Sequence, residues 1–500
     1  MSNPPARLAW SGFVTELAEL LRARGVDTPL YLVGGVVRDA WLRKPTDDID
    51  IVVGGRAIPL ARRVCDWLGA DIYVMDRERG VARVFVKQAG RALSLDFADQ
   101  RGSSLAEDLR DRDFTMNAMA ADLLGDCGAL VDPLAGEQDL RAKVLRRCSP
   151  NSIAADPIRG LRAVRFSAQF DLKIEPATAA DIRGCTKELR ATSPERIRDE
   201  FFKLLGLGRA ARGLRVLEHL GLLRMILPDI PPANLPHSLA VVERLATLLT
   251  AISRRRTDNT AAAFDLGMLV IQLDRFRPRL QAHLDRRYGN WRNHAQLLAL
   301  AALLEAGNQA ALVAESLRLS AGEARILSQA VSNELVDLPM PATRLEQHRY
   351  WQRLGAGGID VILLGAAKAL AAQGVALDQQ DWLRRVEQIT QLLDAWFNQY
   401  DTLVNPKLLL SGHDVKTLLD IQSGPQIGVA LTALREAQAL GKVTTQEQAR
   451  AFLAQLSAIG SGGGRGAGGG GGGGGGGEGG GGGGGAGGGG GGGVGAGGGG

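Results

Sequence analysis

The sequence predicts an α+β chain, with a head built on a mixed sheet over residues 1–150 and an all-helical remainder. Two observations carry this reading. Up to Pro150, short apolar runs bounded by Gly, Asp or Pro alternate with amphipathic stretches, the pattern of strands and their covering helices. From Asp156 onward nearly every segment has helical period, Leu, Ala and Arg dominate, and strand signals are absent. A third observation bounds the fold: 34 of the last 41 positions, Gly460 to Gly500, are glycine. That segment has almost nothing to bury and maximal chain entropy, and is expected to be disordered.

In order along the head, 13–23 reads as an amphipathic helix and 30–33 as a short strand ending in Gly34-Gly35. A second strand follows at 49–53, a helix at 60–68, and strands at 72–75, 81–87 and 92–98. Pro228, Pro231, Pro232 and Pro236 mark one joint in the helical part, and Asn405-Pro406 another. The domains expected are 1–150, 151–227, 228–400, 401–459 and the glycine-rich 460–500.

The net charge of +5 permits a phosphate-bearing partner without requiring one. No apolar run reaches about 18 residues; the strongest, 359–377, carries Asp360, Lys368 and Gln373 and reads as a buried helix. No signal pattern opens the chain. Cys65, Cys127, Cys148 and Cys185 show no metal spacing and read as reduced thiols of a cytoplasmic protein, with no membrane partner.

The chemistry lies in the head. Gly34-Gly35 between a strand and a helix start lets backbone approach a ligand and offers helix N–H groups to an anion, although a turn can need glycine for geometry alone. Asp48 and Asp50 flank Ile49 at a strand start, so both carboxylates project to one face. Adjacent carboxylates repel unless a cation sits between them, and oxygen ligands suit Mg²⁺. The plain alternative is a polar strand entrance with Asp47 as a turn former. Asp96, on the polar face of 92–98, joins them if its strand lies beside 49–53; Asp99 is its rival. Three carboxylates on two metal ions would suit in-line displacement at a phosphate.

These residues carry a family resemblance. Gly34-Gly35-Val36-Val37-Arg38-Asp39 followed by Asp48-Ile49-Asp50 resembles the first motif of class II tRNA nucleotidyltransferases and bacterial poly(A) polymerases, members of the polymerase-β nucleotidyltransferase superfamily. Further motifs follow in order: Arg112-Asp113-Phe114-Thr115-Met116-Asn117-Ala118, Asp132-Pro133 with Gly136, and Asp156-Pro157-Ile158-Arg159-Gly160-Leu161-Arg162-Ala163-Val164-Arg165-Phe166. Ser193-Pro194-Glu195-Arg196 resembles the neck motif, and Leu410-Ser411-Gly412-His413-Asp414 the C-terminal tail module. The match is dense over 28–224.

The resemblance implies a polymerase-β-like head, a helical neck, body and tail, and nucleotide addition to the 3′ end of tRNA or another RNA from CTP and ATP. It implies Mg²⁺ on Asp48, Asp50 and Asp96, and triphosphate contacts from Arg38 beside Gly34 and Gly35. Arg112 and Asp113 would contact the ribose, and Asn117 would be a further nucleotide-binding residue. Asp156 and Arg159 would read the incoming base from one broad helix face, with Arg162 and Arg165 serving phosphates. Asp111 stands where the family has Arg, Ala155 where it often has Glu, and 71–86 lacks the Gly-Thr element of the loop used by enzymes that add all of CCA. CCA, CC-only, A-only and poly(A) addition therefore stay open, as does an RNA-binding protein with an inactive head. In the body, Arg254-Arg255-Arg256 and Arg275, Arg277, Arg279, Arg286, Arg287 and Arg292 are candidate RNA contacts, with Tyr288 and Trp291 for stacking. His237 falls in a degenerate phosphohydrolase-like (HD) region, and no hydrolase activity is expected there. Oligomeric state is not legible.

Overall fold

The computed structural model describes residues 7–88, 90–253, 264–289, 291–304, 307–331, 343–372, 378–421 and 424–462. Arg254-Arg255-Arg256 and the glycine-rich run beyond residue 462 lie outside the described residues, as does the end of the 359–377 segment. The chain divides into two compact units, Met1–Lys407 and Leu408–Gly500.

The head begins with α1 (Gly12–Ala23), whose Phe13, Val14, Leu17, Ala18 and Leu21 are buried at helical spacing. Then come β1 (Leu30–Val33), α2 (Gly35–Trp41), β2 (Asp48–Val53), α3 (Ala57–Leu68), β3 (Asp71–Asp76), β4 (Val81–Gln88), β5 (Arg91–Asp99), α4 (Leu105–Arg110) and β6 (Ala120–Asp122). They form one six-stranded mixed sheet in the order β3-β4-β5-β2-β1-β6. Only β2 and β5 run parallel. The expected strands appear within about two residues of their predicted ends. Strand β6 was not foreseen, because three residues are too few to show a period.

Alternation gives the sheet two distinct faces. Ile49, Ile51, Val53, Leu95, Phe97, Ala82 and Val84 are buried on the face that α3 covers. On the opposite face Val52 packs with Val33, Leu109, Ala118 and Ala120. That cover stops short of the first half of β2, so this face opens where Asp48 and Asp50 lie.

Past α5 (Gly136–Arg141) and α6 (Ser152–Ala155), the chain enters α7 (Ile158–Phe170) and remains predominantly helical. Two departures from the expected all-helical remainder are a strand pair, Val144–Leu145 with Lys173–Ile174, and a small hairpin, Arg287–Tyr288 with Arg292–Asn293. Each strand is two residues long, below what any periodicity reveals. The expected buried helix is Gly357–Ala372. No single helix among the described residues is long and apolar enough to cross a membrane.

Inside the body, Asp360 sits in the first turn of that helix and is 2 % exposed. His283 Nε2 lies 2.7 Å from Asp360 Oδ1, and His294 Nε2 lies 2.8 Å from both carboxylate oxygens. Arg286 Nη2 is 3.0 Å from His283 Nδ1 and the Tyr288 hydroxyl 2.7 Å from His294 Nδ1. Arginine only donates, so His283 accepts at Nδ1 and donates its Nε2 proton to Asp360. Seating a metal on these three groups would move that proton to Nδ1, facing the Arg286 donor. The cluster is therefore a closed hydrogen-bond lock between three helices. His237, the histidine that the sequence singles out, is exposed on the Leu235–Ala251 helix and does not belong to this group.

The second unit packs Gly412–Leu419, Pro425–Ala439 and Gln446–Gly462 around Leu410, Val415, Leu434, Val443 and Leu453. Its Ser411-Gly412-His413-Asp414 segment is a capping box: Ser411 Oγ accepts from the Asp414 N–H and Asp414 Oδ2 accepts from the Ser411 N–H.

Burial acts to raise the Asp360 carboxyl, but its hydrogen bonds and the nearby imidazoles outweigh it and hold the group below the ordinary carboxylate range. Asp360→Ala leaves two buried imidazoles without an acceptor and is expected to cost about 3–5 kcal/mol, read from denaturant unfolding. A depressed folded-state value means the stabilisation is complete above the unfolded value and fades as pH falls through the folded one. The gap between wild type and variant should therefore narrow only below about pH 4. An unchanged unfolding midpoint at neutral pH would remove the lock.

Candidate active site

Parallel pairing of β2 with β5 places Asp50 opposite Asp96 and Asp48 opposite Ser94. The Ser94 hydroxyl donates to Asp48 Oδ1. Burial first, then the negative charges of Asp96 and Asp48, push the Asp50 carboxyl up to about 6, against the opposing pull of Arg112 and Arg83. This cluster is short of positive charge. Oxygen donors in that state fit a hard divalent cation, which would replace the missing charge.

Asp96 has a neighbour that sequence reading did not assign. Arg83 on β4 grips it with both prongs, Nε to Oδ1 at 2.7 Å and Nη2 to Oδ2 at 2.6 Å. Asp99, the rival carboxylate, is elsewhere: its Oδ1 accepts from the Ala57 N–H and caps α3. Three residues along a strand reverse the face, which separates the two acids.

Gly34 joins β1 to α2 with φ +76° and ψ −132°, a conformation open to glycine alone. A Cβ there would stand 3.2 Å from Arg112 Nη1 and 3.3 Å from Asp50 Oδ2. The turn thus brings bare backbone against the carboxylates. One turn on, Arg38 is buried; it grips Asp39 at 2.9 and 3.0 Å and donates to Asn117 Oδ1 at 2.6 Å. Asn117 donates to Asp113 Oδ1, and Arg162 holds Asp113 Oδ2 through Nε at 2.9 Å and Nη2 at 2.6 Å. Burial opposes charge on Asp113, yet Arg162 and the Asn117 and Phe114 N–H groups hold it below the usual carboxylate range. Glu200 closes the chain on Arg165, Arg162 and Lys203. Arg112 is turned onto buried Asp108.

Asp156 departs from the expected helix face. It lies in extended backbone (φ −152°, ψ 95°) between α6 and α7, because the following Pro157 disfavours helical geometry at its predecessor. Only Arg159, Arg162 and Arg165 are on α7 itself. Arg196 pairs with Asp156 Oδ2 at 2.7 Å. Arg159 donates to the backbone carbonyls of Asp111, Arg112 and Ser152.

A cavity of about 480 Å³ gathers Gly34, Gly35, Arg38, Asp48, Asp50, Arg112, Asp113, Asn117, Asp156, Arg159, Arg162 and Arg165 on one lining. Of the catalytic and nucleotide-binding candidates named from sequence, Asp96 alone is missing from that lining. Thr46, Arg101, Phe166 and Arg196 line it as well and were given no role. Arg101 follows the Asp96 strand and Arg196 lies in the neck motif, so position relative to motifs was the available signal. The cavity wall is dominated by guanidinium groups, with carboxylates at one side: a place for a polyanion beside a cation.

The "Poly A polymerase head domain" family matches residues 30–146, and the family described as "Probable RNA and SrmB- binding site of polymerase A" matches 171–233. A CC-adding tRNA nucleotidyltransferase of Geobacter sulfurreducens is 34% identical over 88% of this chain and 94% of its own. An A-adding tRNA nucleotidyltransferase of Deinococcus radiodurans is 33% identical over 84% of this chain and 94% of its own. Among solved structures, a CCA-adding enzyme in complex with ATP shares the fold, with a TM-score of 0.63 at 23% identity over 89% of this chain and 96% of that one.

Mn²⁺ titrated into the protein and followed by electron paramagnetic resonance should report the carboxylate cluster directly. Asp50→Asn is expected to weaken binding about tenfold or more, since it deletes a charged ligand. Equal affinity in wild type and variant would remove the cation site from β2.

Proposed function

The chain belongs to the tRNA nucleotidyltransferase and poly(A) polymerase family, and from that premise we propose that it adds C and/or A to the 3′ end of tRNA, using CTP and ATP and releasing pyrophosphate. The RNA 3′-oxygen forms a bond to the nucleotide α-phosphorus and gives up its proton to solvent, while the bond from the α-phosphorus to the α–β bridging oxygen breaks and pyrophosphate leaves with that oxygen. The observation that carries this reading is the single cavity in which the carboxylates of β2, the Gly34 turn and the arginines of α7 converge.

Enzymes of this family need a divalent metal. We assign it as Mg²⁺ on Asp48 and Asp50, where it would supply charge neutralisation at the reacting phosphate. Asp96, opposite Asp50 and bonded by Arg83 at only one site on each oxygen, would be the third carboxylate on that ion. Bare backbone at Gly34 and Gly35 leaves room for the triphosphate, and Arg38, already braced by Asp39 and Asn117, faces it. Asp113, whose oxygens are taken up by Arg162, Asn117 and the Phe114 N–H, would accept a ribose hydroxyl in exchange for one of those donors, with Arg112 beside it. Arg159, its plane held by three carbonyls, offers a fork to the base edge next to the Asp156 acceptor. Arg162 brings its charge to the phosphates while bound to Asp113. Arg165 is tied to Glu200 and braces that arrangement more than it reaches the nucleotide. In domain terms, 1–150 would hold nucleotide and metal, 151–227 would select the nucleotide, 228–400 would bind RNA, and 401–459 is the helical tail module. Four free cysteines and a tRNA substrate support a cytoplasmic place of action.

Within the family's range, CC addition is the finer reading. Strands β3 and β4 are joined by residues 77–80, and Asp76 Oδ1 accepts from the N–H groups of Glu78 and Arg79. A four-residue pinned turn leaves no length here for the flexible loop by which enzymes that add all of CCA are recognised, and this supports CC addition.

Incubating tRNA transcripts ending before C, at C and at CC with labelled CTP and ATP tests both readings. Two C and no A are expected; a terminal A would overturn the finer reading, and no incorporation at all the broader one. Asp48→Ala or Asp50→Ala should lower incorporation about a thousandfold or more with tRNA binding retained. Arg159→Ala should shift CTP-over-ATP preference by about 10- to 100-fold, the worth of one bidentate base contact of about 1–3 kcal/mol.

A further inference from the structure

The face of the sheet that bears the carboxylates does not end at Asp96. Register carries it outward in two rows across four strands. One row runs Asp50, Asp96, Arg83, Tyr73; the next runs Asp48, Ser94, Phe85, Asp71. On β4, Arg83, Phe85 and Lys87 all point to this open side, while Ala82, Val84 and Val86 are buried on the other. Tyr73 is 63% exposed, Phe85 47% and Met75 49%. Three of the ten exposed large apolar side chains among the described residues therefore sit on this one hairpin.

An edge strand usually protects itself with charge or proline rather than aromatic rings. Here the rings stand among basic groups: Arg83, bonded to Asp96 through Nε and Nη2, between Tyr73 and Asp96; Lys87 two residues beyond Phe85; and Arg91, paired to Asp47, at the start of β5, with Asp71 the one acid on β3 and β4 in these two rows. Rings interleaved with basic groups on one face are what a single nucleic-acid strand uses, its bases stacking and its phosphates meeting the cations. Strand spacing sets the distances: Phe85 lies about 10 Å and Tyr73 about 14 Å from the β2 carboxylates. Those are distances for the nucleotides just behind the one that carries the reacting hydroxyl.

We propose that Tyr73 and Phe85 form a stacking platform for the bases immediately upstream of the RNA 3′ end, with Arg83 and Lys87 facing the intervening phosphates. The proposal rests on the nucleotidyltransferase reading and adds to it the path by which the acceptor strand reaches the carboxylates. The platform carries no hydrogen-bond readout, so it holds any base and leaves nucleotide choice to the cavity.

The test uses the full chain with tRNA transcripts ending before C and at C. Tyr73→Ala, Phe85→Ala and the double variant are expected to raise KM for tRNA about tenfold per ring, within the range of base–aromatic stacking. KM for CTP and the thermal midpoint should stay at wild-type values, and Tyr73→Trp and Phe85→Tyr should restore tRNA KM. A transcript carrying 4-thiouridine at its penultimate position should crosslink to peptides holding Tyr73 or Phe85. A double alanine variant with wild-type KM for tRNA and no such crosslink overturns the platform while the function stands. If that variant is also monomeric where the wild type is dimeric, the edge is a surface between copies and the proposal is equally overturned. A wild type that incorporates nothing overturns function and platform together.

Discussion

Repulsion among carboxylates on one sheet face organises the head. Parallel pairing of β2 and β5 forces Asp50 against Asp96, with Asp48 one step along. The surroundings answer that charge in ways a single strand could not. Arg83 is placed across β5 to hold Asp96, Ser94 donates to Asp48, and Arg112 stands near Asp50. Burial, with the charges of Asp96 and Asp48, still leaves Asp50 raised to about 6, and a cation beside it would favour its charged form. Gly34 belongs to the same constraint, since any side chain there would press on the Asp50 oxygen.

A second tier of charge links the head to the neck. Asp39, Arg38, Asn117, Asp113, Arg162, Glu200 and Arg165 form a continuous run of donors and acceptors from α2 to the helix Pro194–Leu205. Each member is buried or half-buried, and each has its partner. A network of this kind gains its strength from completeness: satisfied throughout it rigidifies, and with one member removed it leaves unpaired charge in a poorly hydrated interior. Motifs that lie far apart in sequence thus position one another. Arg162 is the clearest case, because the charge it brings to the cavity is oriented by the carboxylate of Asp113, 49 residues earlier in the chain.

The body shows the opposite lesson. Several of its arginines and aromatics, read from sequence as RNA contacts, are engaged within the protein. Arg292 is held by Glu323 and Asp199, Arg279 lies over Phe397, Arg275 faces Asp394, and the Tyr288 hydroxyl is on His294. Composition says how many cations a helix carries but not which face they take, and a guanidinium paired to a buried carboxylate is a structural group.

The amino-acid sequence by itself determined the alternation of strands and helices in the head, the helical remainder, and the placing of Asp48 and Asp50 side by side. Strand period and glycine turns act over neighbouring residues, so a linear reading reaches them. The ordered motifs also determined the family. Strands of two or three residues escaped because they hold no period, and Asp156 was drawn onto a helix from which Pro157 excludes it. Tertiary structure alone decided what depends on pairing between distant segments. It separated Asp96 from Asp99, gave Asp96 to Arg83, and brought rings of β3 and β4 onto the carboxylate face. It also assembled His283, His294 and Asp360, 66 and 77 residues apart, into a lock that no spacing rule would find. Register and helix packing are properties of two surfaces meeting, and neither surface carries the other's coordinates in its own local sequence.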